Sequence, residues 1–186
     1  MRIPRALYER MLAQAQAEAP NECCGFVATR GGDAVSVHPT RNTAESPMRF
    51  EIDSQELFST YFAIEDAGCD VGVIYHSHTR SEPYPSQTDI NFAAKWPGVW
   101  WLIFGLAGEG PTARVYEIRD GVVAERSFQV ESEAMRPTGE AEPTLTCPGC
   151  GSRAGAAERF CADCGLPLVL GDGTGEEQSP GADVSE

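Results

Sequence analysis

His76 and His78 stand one residue apart at the end of a short apolar run, and Asp89 follows eleven residues after the second of them. Side chains two apart on a strand point to one face, so two imidazoles in a His-Ser-His can reach one ion at about 2.0–2.1 Å. Two histidines and a carboxylate leave a tetrahedral zinc ion one open position, which is the ligand set of a catalytic rather than a closed structural site. Glu22, just ahead of the apolar Cys24-Gly25-Phe26-Val27-Ala28, is the candidate general base for the water of such a site. It would take a proton from that water and give it to a leaving amine. Ser86 is the candidate donor to a tetrahedral oxyanion. Each residue also has a plainer reading. Ser86 and Asp89 fit helix capping with no metal, Glu22 fits a solvated carboxylate, and the two histidines fit an incidental pair at a strand end. The case for chemistry rests on the constellation.

Cys147-Pro148-Gly149-Cys150-Gly151 and Cys161-Ala162-Asp163-Cys164-Gly165 are two matching knuckles separated by ten residues. Cys147, Cys150, Cys161 and Cys164 supply four thiolates, the set for a closed structural zinc site, and a segment this short needs the metal for its stability. A pair of redox dithiols is the competing reading. Three of the seven cysteines remain: Cys23, Cys24 and Cys69. A thiol nucleophile paired with His76 or His78 is the minor reading of Cys23 or Cys24; at least one of the two should point into the core as a small hydrophobe, and Cys69, ahead of a strand, reads most simply as buried. His38, between a strand and Pro39, reads as structural. Trp96, Trp100 and Trp101 read as core or groove wall.

These residues need elements to hold them. Leu7, Met11, Leu12 and Ala15 recur at helical spacing over residues 5–19, with Pro4 suited to the first turn and Pro20 ending the run. Residues 24–28 read as a buried strand, Gly31-Gly32-Asp33 as a turn and 34–37 as its partner. Asp53 with Glu56 resembles a capping box opening a helix with Leu57, Phe58, Tyr61, Phe62 and Ile64. Val71 to Tyr75 reads as a central strand that delivers the histidines. A helix then starts at Ser86 and Asp89 and breaks at Pro97-Gly98. Val99 to Leu106 is a further strand, and 115–118 pairs with 122–130 across Arg119-Asp120-Gly121, since Asp-Gly favours a tight turn. Strands alternate with helices but several are joined by hairpins, which predicts a mixed-sheet α/β sandwich rather than a parallel sheet.

The chain of 186 residues accommodates one ordinary domain and something small. We expect a core domain over 1–130, a Glu/Pro/Thr/Ala-rich linker over 131–146, the cysteine knuckles over 147–170 and a disordered acidic tail over 171–186. A net charge of -14 argues against binding to a phosphate backbone or an anionic membrane. The start, Met1-Arg2-Ile3-Pro4-Arg5, has no apolar stretch behind its charges, so we expect no signal peptide and a cytoplasmic protein. Disulfides are correspondingly not expected, and the paired cysteines read as metal ligands.

Glu22, then His76-Ser77-His78, then seven residues, then Ser86-Gln87-Thr88-Asp89 resembles the motif of the JAMM, or MPN+, zinc metallopeptidases. Glu22-Cys23-Cys24-Gly25 and the stretch from Arg41-Asn42-Thr43-Ala44 to Phe50 are also similar to that family. The resemblance covers roughly residues 3–130. It implies a cytidine-deaminase-like JAB/MPN core, an α/β/α sandwich, with the cysteine knuckles added as a small C-terminal zinc ribbon. It implies one catalytic Zn²⁺ on His76, His78 and Asp89, with Glu22 as general acid and base and Ser86 as oxyanion stabiliser; the ribbon would hold a second, structural Zn²⁺.

Val73 to Thr79, with Glu82, Tyr84-Pro85-Ser86 and Thr88-Asp89, looks like the compact bacterial branch, which includes a hydrolase releasing cysteine from a sulfur-carrier protein. That resemblance implies a partner that is ubiquitin-like or a sulfur carrier, ending in Gly-Gly, and cleavage of the bond to its cysteine or lysine. The short run from Asp89 to Val99 leaves little room for the insertion that grips ubiquitin in eukaryotic members. The alternative is a non-catalytic MPN scaffold that recruits partners through its ribbon. A nucleobase deaminase needs His-x-Glu followed by Pro-Cys-x-x-Cys, and neither occurs.

Overall fold

Alternation along the middle strand decides which side of the molecule carries the chemistry. The computed structural model describes residues 1–131, 144–155 and 160–168. In order, the elements are β1 (Arg2–Pro4), α1 (Arg5–Glu18), β2 (Cys24–Arg30), β3 (Asp33–Thr40), α2 (Ser54–Asp66), β4 (Asp70–His78), α3 (Gln87–Ala93), β5 (Trp100–Gly105), β6 (Thr112–Arg119), β7 (Val122–Arg126), β8 (Gln129–Glu131), β9 (Thr144–Thr146) and β10 (Arg153–Gly155). Six strands form one sheet in the order β3-β2-β4-β5-β6-β7. Only the central β4–β5 pair is parallel, and α3 lies in the crossover between them, as a parallel connection requires.

Each face of the sheet has its own core. On one side Val27, Val73, Tyr75, Leu102 and Phe104 pack with Ile3 and with Leu7, Met11 and Ala15 of α1. On the other, Phe26, Ile74, Trp101 and Ile103 pack with Ile64 of α2 and Ala93 of α3. The result is the expected α/β/α sandwich. Burying one large aliphatic or aromatic side chain contributes about 1.5–3 kcal/mol, so these two layers hold the sheet rigid around its central strand. Period-two alternation sends Val73 and Tyr75 to the α1 side. Ile74, His76 and His78 therefore face the α2–α3 side.

Most of the predicted elements are present. β4 runs three residues past Tyr75, so the histidines stand within the strand and not after it. His38 likewise lies inside β3. The β6–β7 turn has φ of 51° at Asp120 and 78° at Gly121, the left-handed pair a type I′ turn needs. The predicted strand over 122–130 is interrupted. β7 ends at Arg126 and β8 pairs in parallel with β1 instead of continuing on β6. The reason is visible at Phe128, which packs into the α1-side core and stacks on Tyr8 at 6.3 Å, pulling the chain away from β6. β9 and β10 pair antiparallel around the first cysteine knuckle, so Thr144–Thr146, expected in the linker, form a strand. The remainder of the linker expectation, 132–143, and the tail expectation, 171–186, lie outside the described residues. Among the described residues, no helix is long and apolar enough to cross a membrane.

Candidate metal centre

β4 is hydrogen-bonded on both sides, to β2 through Cys24↔His76 and to β5 through His76↔Ile103 and His78↔Gly105. Both imidazoles are thus fixed by the middle of the sheet and are buried. Asp89 reaches them from the first turn of α3. Its side chain accepts from the Ser86 backbone N–H at 2.7 Å and from the Ser86 hydroxyl at 2.6 Å, while its own N–H donates to Ser86 Oγ at 3.3 Å. The predicted helix cap is therefore present, in the form of a reciprocal capping box, and it is also what aims the carboxylate.

His76 Nε2 lies 3.1 Å from His78 Nε2, 3.4 Å from Asp89 Oδ1, and His78 Nε2 lies 3.6 Å from Asp89 Oδ2. Three ligands on a tetrahedral ion at about 2.0–2.1 Å stand about 3.3 Å apart. The donor set and its spacing fit zinc. The tautomer fits as well: His78 Nδ1 lies 2.9 Å from the Glu82 carbonyl. A carbonyl only accepts, so Nδ1 carries the proton and Nε2 keeps its lone pair for a metal. The Glu82 loop is itself anchored, because Tyr116 donates its hydroxyl proton to the Pro83 carbonyl at 2.6 Å and stacks edge-on against Tyr84.

Burial opposes charge on Asp89, but His76, His78 and Ser86 overcome it and hold the carboxyl far below the usual carboxylate range. Burial also works against protonation of His78, and its bonds to Asp89 and to the Glu82 carbonyl reverse the direction and raise it. Glu22 sits outside this three-residue ligand cluster. It is only 4% exposed. Burial pushes its carboxyl up to about 7, with His78 pulling it down and Asp89 pushing it up, so it shares the electrostatic environment of the cluster. An open groove of about 1210 Å³ leads from Asp89 between α2 and α3, walled by Phe50, Leu57, Phe92 and Trp96.

Ser86 has its hydroxyl proton committed to Asp89 Oδ2. Cys23 and Cys24 are buried, and burial raises both thiols to about 12, which removes thiolate chemistry at neutral pH. Three residues without an individual role in the sequence reading belong to this neighbourhood. Phe50 lays its ring 4.8 Å from that of His76. Ser77 accepts from the Cys23 backbone N–H at 2.9 Å. Asn42 donates to the Glu22 carbonyl at 2.8 Å.

The four knuckle cysteines also meet. Cys147 Sγ is 3.5 Å from Cys164 Sγ, and Cys150 Sγ is 3.4 Å from Cys161 Sγ. Each knuckle is closed by the same bond, Gly151 N–H to the Cys147 carbonyl and Gly165 N–H to the Cys161 carbonyl. The two glycines have φ of 76° and 74°, the left-handed region a side chain resists. Ser152 lies beside the Cys150 thiol, with Cys150 Sγ 3.3 Å from Ser152 Oγ, and lowers it, while burial and the crowding of the four sulfurs raise Cys161 and Cys164. The second knuckle rests on the core: Phe160 meets the His38 ring edge-on at 5.0 Å, and Arg10 donates to the Ala162 carbonyl.

The family model for prokaryotic homologs of the JAB domain matches residues 4–119. The CysO-cysteine peptidase of Mycobacterium tuberculosis is 36% identical over 126 residues, which is 67% of this chain and 86% of the peptidase. The desampylase of Haloferax volcanii is 41% identical over 95 residues, 48% of this chain and 66% of that protein. The solution structure of a protein from Desulfitobacterium hafniense superposes with a TM-score of 0.61 at 29% identity, covering 72% of this chain and 94% of its own. A match of this extent over the residues that carry the two-histidine–aspartate centre means that the chain belongs to the JAB-domain family, in its prokaryotic branch, and is a hydrolase of the JAMM type.

Proposed function

We propose that this chain is a zinc hydrolase that cuts the amide or isopeptide bond after the C-terminal Gly-Gly of a ubiquitin-like or sulfur-carrier protein. The observation that carries the reading is the placement of Glu22. A buried carboxyl held at about 7 stands beside three ligand atoms set at zinc spacing. A group poised near neutral pH both accepts and returns a proton, which is what a general acid and base must do. The names of the two relatives, CysO-cysteine peptidase and desampylase, favour a protein conjugate as substrate.

His76, His78 and Asp89 would hold the catalytic zinc, and the bound ion would supply Lewis acidity toward the carbonyl and lower the pKa of a coordinated water. Glu22 takes a proton from the attacking water as its oxygen adds to the last glycine carbonyl carbon. The same carboxyl then delivers that proton to the amine nitrogen as the carbon–nitrogen bond breaks, so acid and base roles fall on one residue. Ser86 donates to the developing oxyanion once its proton leaves Asp89 Oδ2, a change favoured when that carboxylate is neutralised by a cation. The groove beside Asp89 is a route for the extended tail. Cys147, Cys150, Cys161 and Cys164 would hold the second, structural zinc.

The test is to incubate the zinc-loaded chain with a Gly-Gly-ended sulfur carrier bearing a C-terminal cysteine, with Glu22→Ala alongside, and weigh the carrier. Loss of one cysteine with the unaltered chain alone is the expected result. If the carrier stays intact, lysine isopeptide conjugates follow, and silence there too overturns the hydrolase reading in favour of a scaffold.

A further inference from the structure

We propose that Asn42 is a positioning residue for Glu22, gripping the main chain of the base through a side-chain amide whose four hydrogen-bonding valences are all used. The inference rests on Glu22 acting as the base. Asn42 is 5% exposed. Its Nδ2 donates to the Glu22 carbonyl at 2.8 Å and to the Arg49 carbonyl at 3.1 Å. Its Oδ1 accepts from the Ala44 N–H at 3.0 Å and the Glu51 N–H at 3.1 Å. An asparagine has two N–H donors and two lone pairs, so nothing is left over.

These partners join two parts of the centre. One donation holds the segment that carries the base, and the other holds the loop at Arg49. The acceptor half closes the loop from Thr43 to Glu51, and that loop lays Phe50 against the ring of His76. The loop returns the grip, since Glu22 N–H donates to the Ser46 carbonyl at 3.0 Å. One residue on, Cys23 is tied to Ser77, which lies between the two histidines: Cys23 N–H donates to Ser77 Oγ at 2.9 Å and Ser77 N–H to the Cys23 carbonyl at 3.2 Å. Glu22 is thus fixed from the loop on one side and from the ligand strand on the other. A carboxyl ahead of a strand has no ladder to hold its own backbone, and a displacement of about 1 Å costs about 10²-fold in rate.

The amide can be split by substitution. Asn42→Asp keeps the oxygen that accepts from Ala44 and Glu51, two of its three bonds to the loop, but loses both donations, to Arg49 and to Glu22, and sets a carboxylate against the Glu22 carbonyl. We would compare the full zinc-loaded chain with Asn42→Asp, Glu22→Gln and the double variant, using a Gly-Gly-ended carrier–cysteine substrate. In parallel, backbone amide exchange is measured on the metal-free chain.

Asn42→Asp is expected to lower kcat about 10²-fold with KM and zinc content unchanged. Added to Glu22→Gln it is expected to cost nothing further, because a residue that works through Glu22 has nothing left to position. Exchange should quicken at the Glu22 amide while β4 and β5 stay protected. Unchanged kcat in Asn42→Asp alongside a dead Glu22→Gln overturns the positioning role and leaves the base intact. Additive losses, or protection lost throughout the sheet together with zinc, make Asn42 a structural residue only. If Glu22→Gln keeps full activity, the base assignment itself fails, whatever Asn42 does.

Discussion

The Nδ1–H of His78 donates to the main-chain carbonyl of Glu82, and that one bond decides which nitrogen of the ring faces Asp89 with a free lone pair. The loop that supplies the carbonyl is pinned by the buried hydroxyl of Tyr116 on Pro83. Tyr116→Phe removes the pin and leaves a carbonyl unpaired, at a cost of about 1–3 kcal/mol. Because the metal ligand depends on the same loop, zinc affinity should fall about 10–100-fold, the usual range for outer-shell partners. Thermal unfolding and a competitive chelator titration check the two effects separately. Loss of stability with unchanged zinc affinity would uncouple the loop from the ligand.

Ser86→Ala takes away a helix cap and the hydroxyl that steadies Asp89. The cap alone is worth about 1 kcal/mol. Ser86→Thr keeps a hydroxyl and should keep most of that stability. If Ser86 also serves the oxyanion, the alanine variant loses kcat by more than its stability explains, about 10²-fold. Steady-state kinetics well below the melting temperature separate the roles. An alanine variant with native kcat would confine Ser86 to capping.

Glu22 makes the pH dependence specific. Burial raises its carboxyl from the ordinary 4.5 to about 7, so between those values the folded, metal-free chain keeps a proton that the unfolded chain has released. The contribution of Glu22 to stability therefore falls as pH rises through this window, while that of His38, held down at about 4, runs the other way. The stability of the unaltered chain relative to Glu22→Gln, taken from denaturant titrations at a series of pH values, isolates the Glu22 part and should fall with rising pH. Catalysis should run the other way, since the base acts as a carboxylate: a zinc ion on His76, His78 and Asp89 would favour that form, so kcat/KM of the loaded chain climbs with pH and levels below the value of the metal-free carboxyl. A difference between the metal-free unaltered and Glu22→Gln chains that is flat over that window would remove the assignment of the raised carboxyl.

The ribbon offers a test at Gly165. Its φ of 74° belongs to the left-handed region, and a Cβ there would stand 3.3 Å from His38 Nδ1. Gly165→Ala should cost about 1 kcal/mol or more and loosen the knuckle from the core. Burial holds the His38 ring down at about 4, so it is neutral at pH 7. With the knuckle displaced, its titration should move back toward ordinary histidine behaviour, which proton NMR of the ring follows. An unmoved His38 titration would show that the knuckle does not cover it.

How much of this was readable beforehand follows a physical divide. His76 and His78 on one face, the Ser86–Asp89 cap and the Asp120–Gly121 turn are set by neighbours within a few residues, and the chain's periodicity states them directly. The break at Phe128 was hidden because its cause, Tyr8, lies far back in the sequence. Asn42 stood within a stretch similar to the family, but its hydrogen bonds join residues up to 20 positions away. Nothing local distinguishes such an asparagine from one in a surface turn. The seat of Phe160 on His38 has the same character.

Edge strand β3 is held at both ends. Arg2 binds Asp33 at its start, and the second knuckle presses on Val37 and His38 toward its finish. The opposite margin, β7, presents Val122 at 68% exposure and, among the described residues, has only β6 as its neighbour in the sheet. The molecule is therefore lopsided as a template. A stray strand seeking backbone partners meets obstruction near the metal centre and open pairing sites two strands beyond β5. Growth by strand addition, whether with a second copy or with a binding peptide, is directed to the flank where it leaves the mouth of the groove clear.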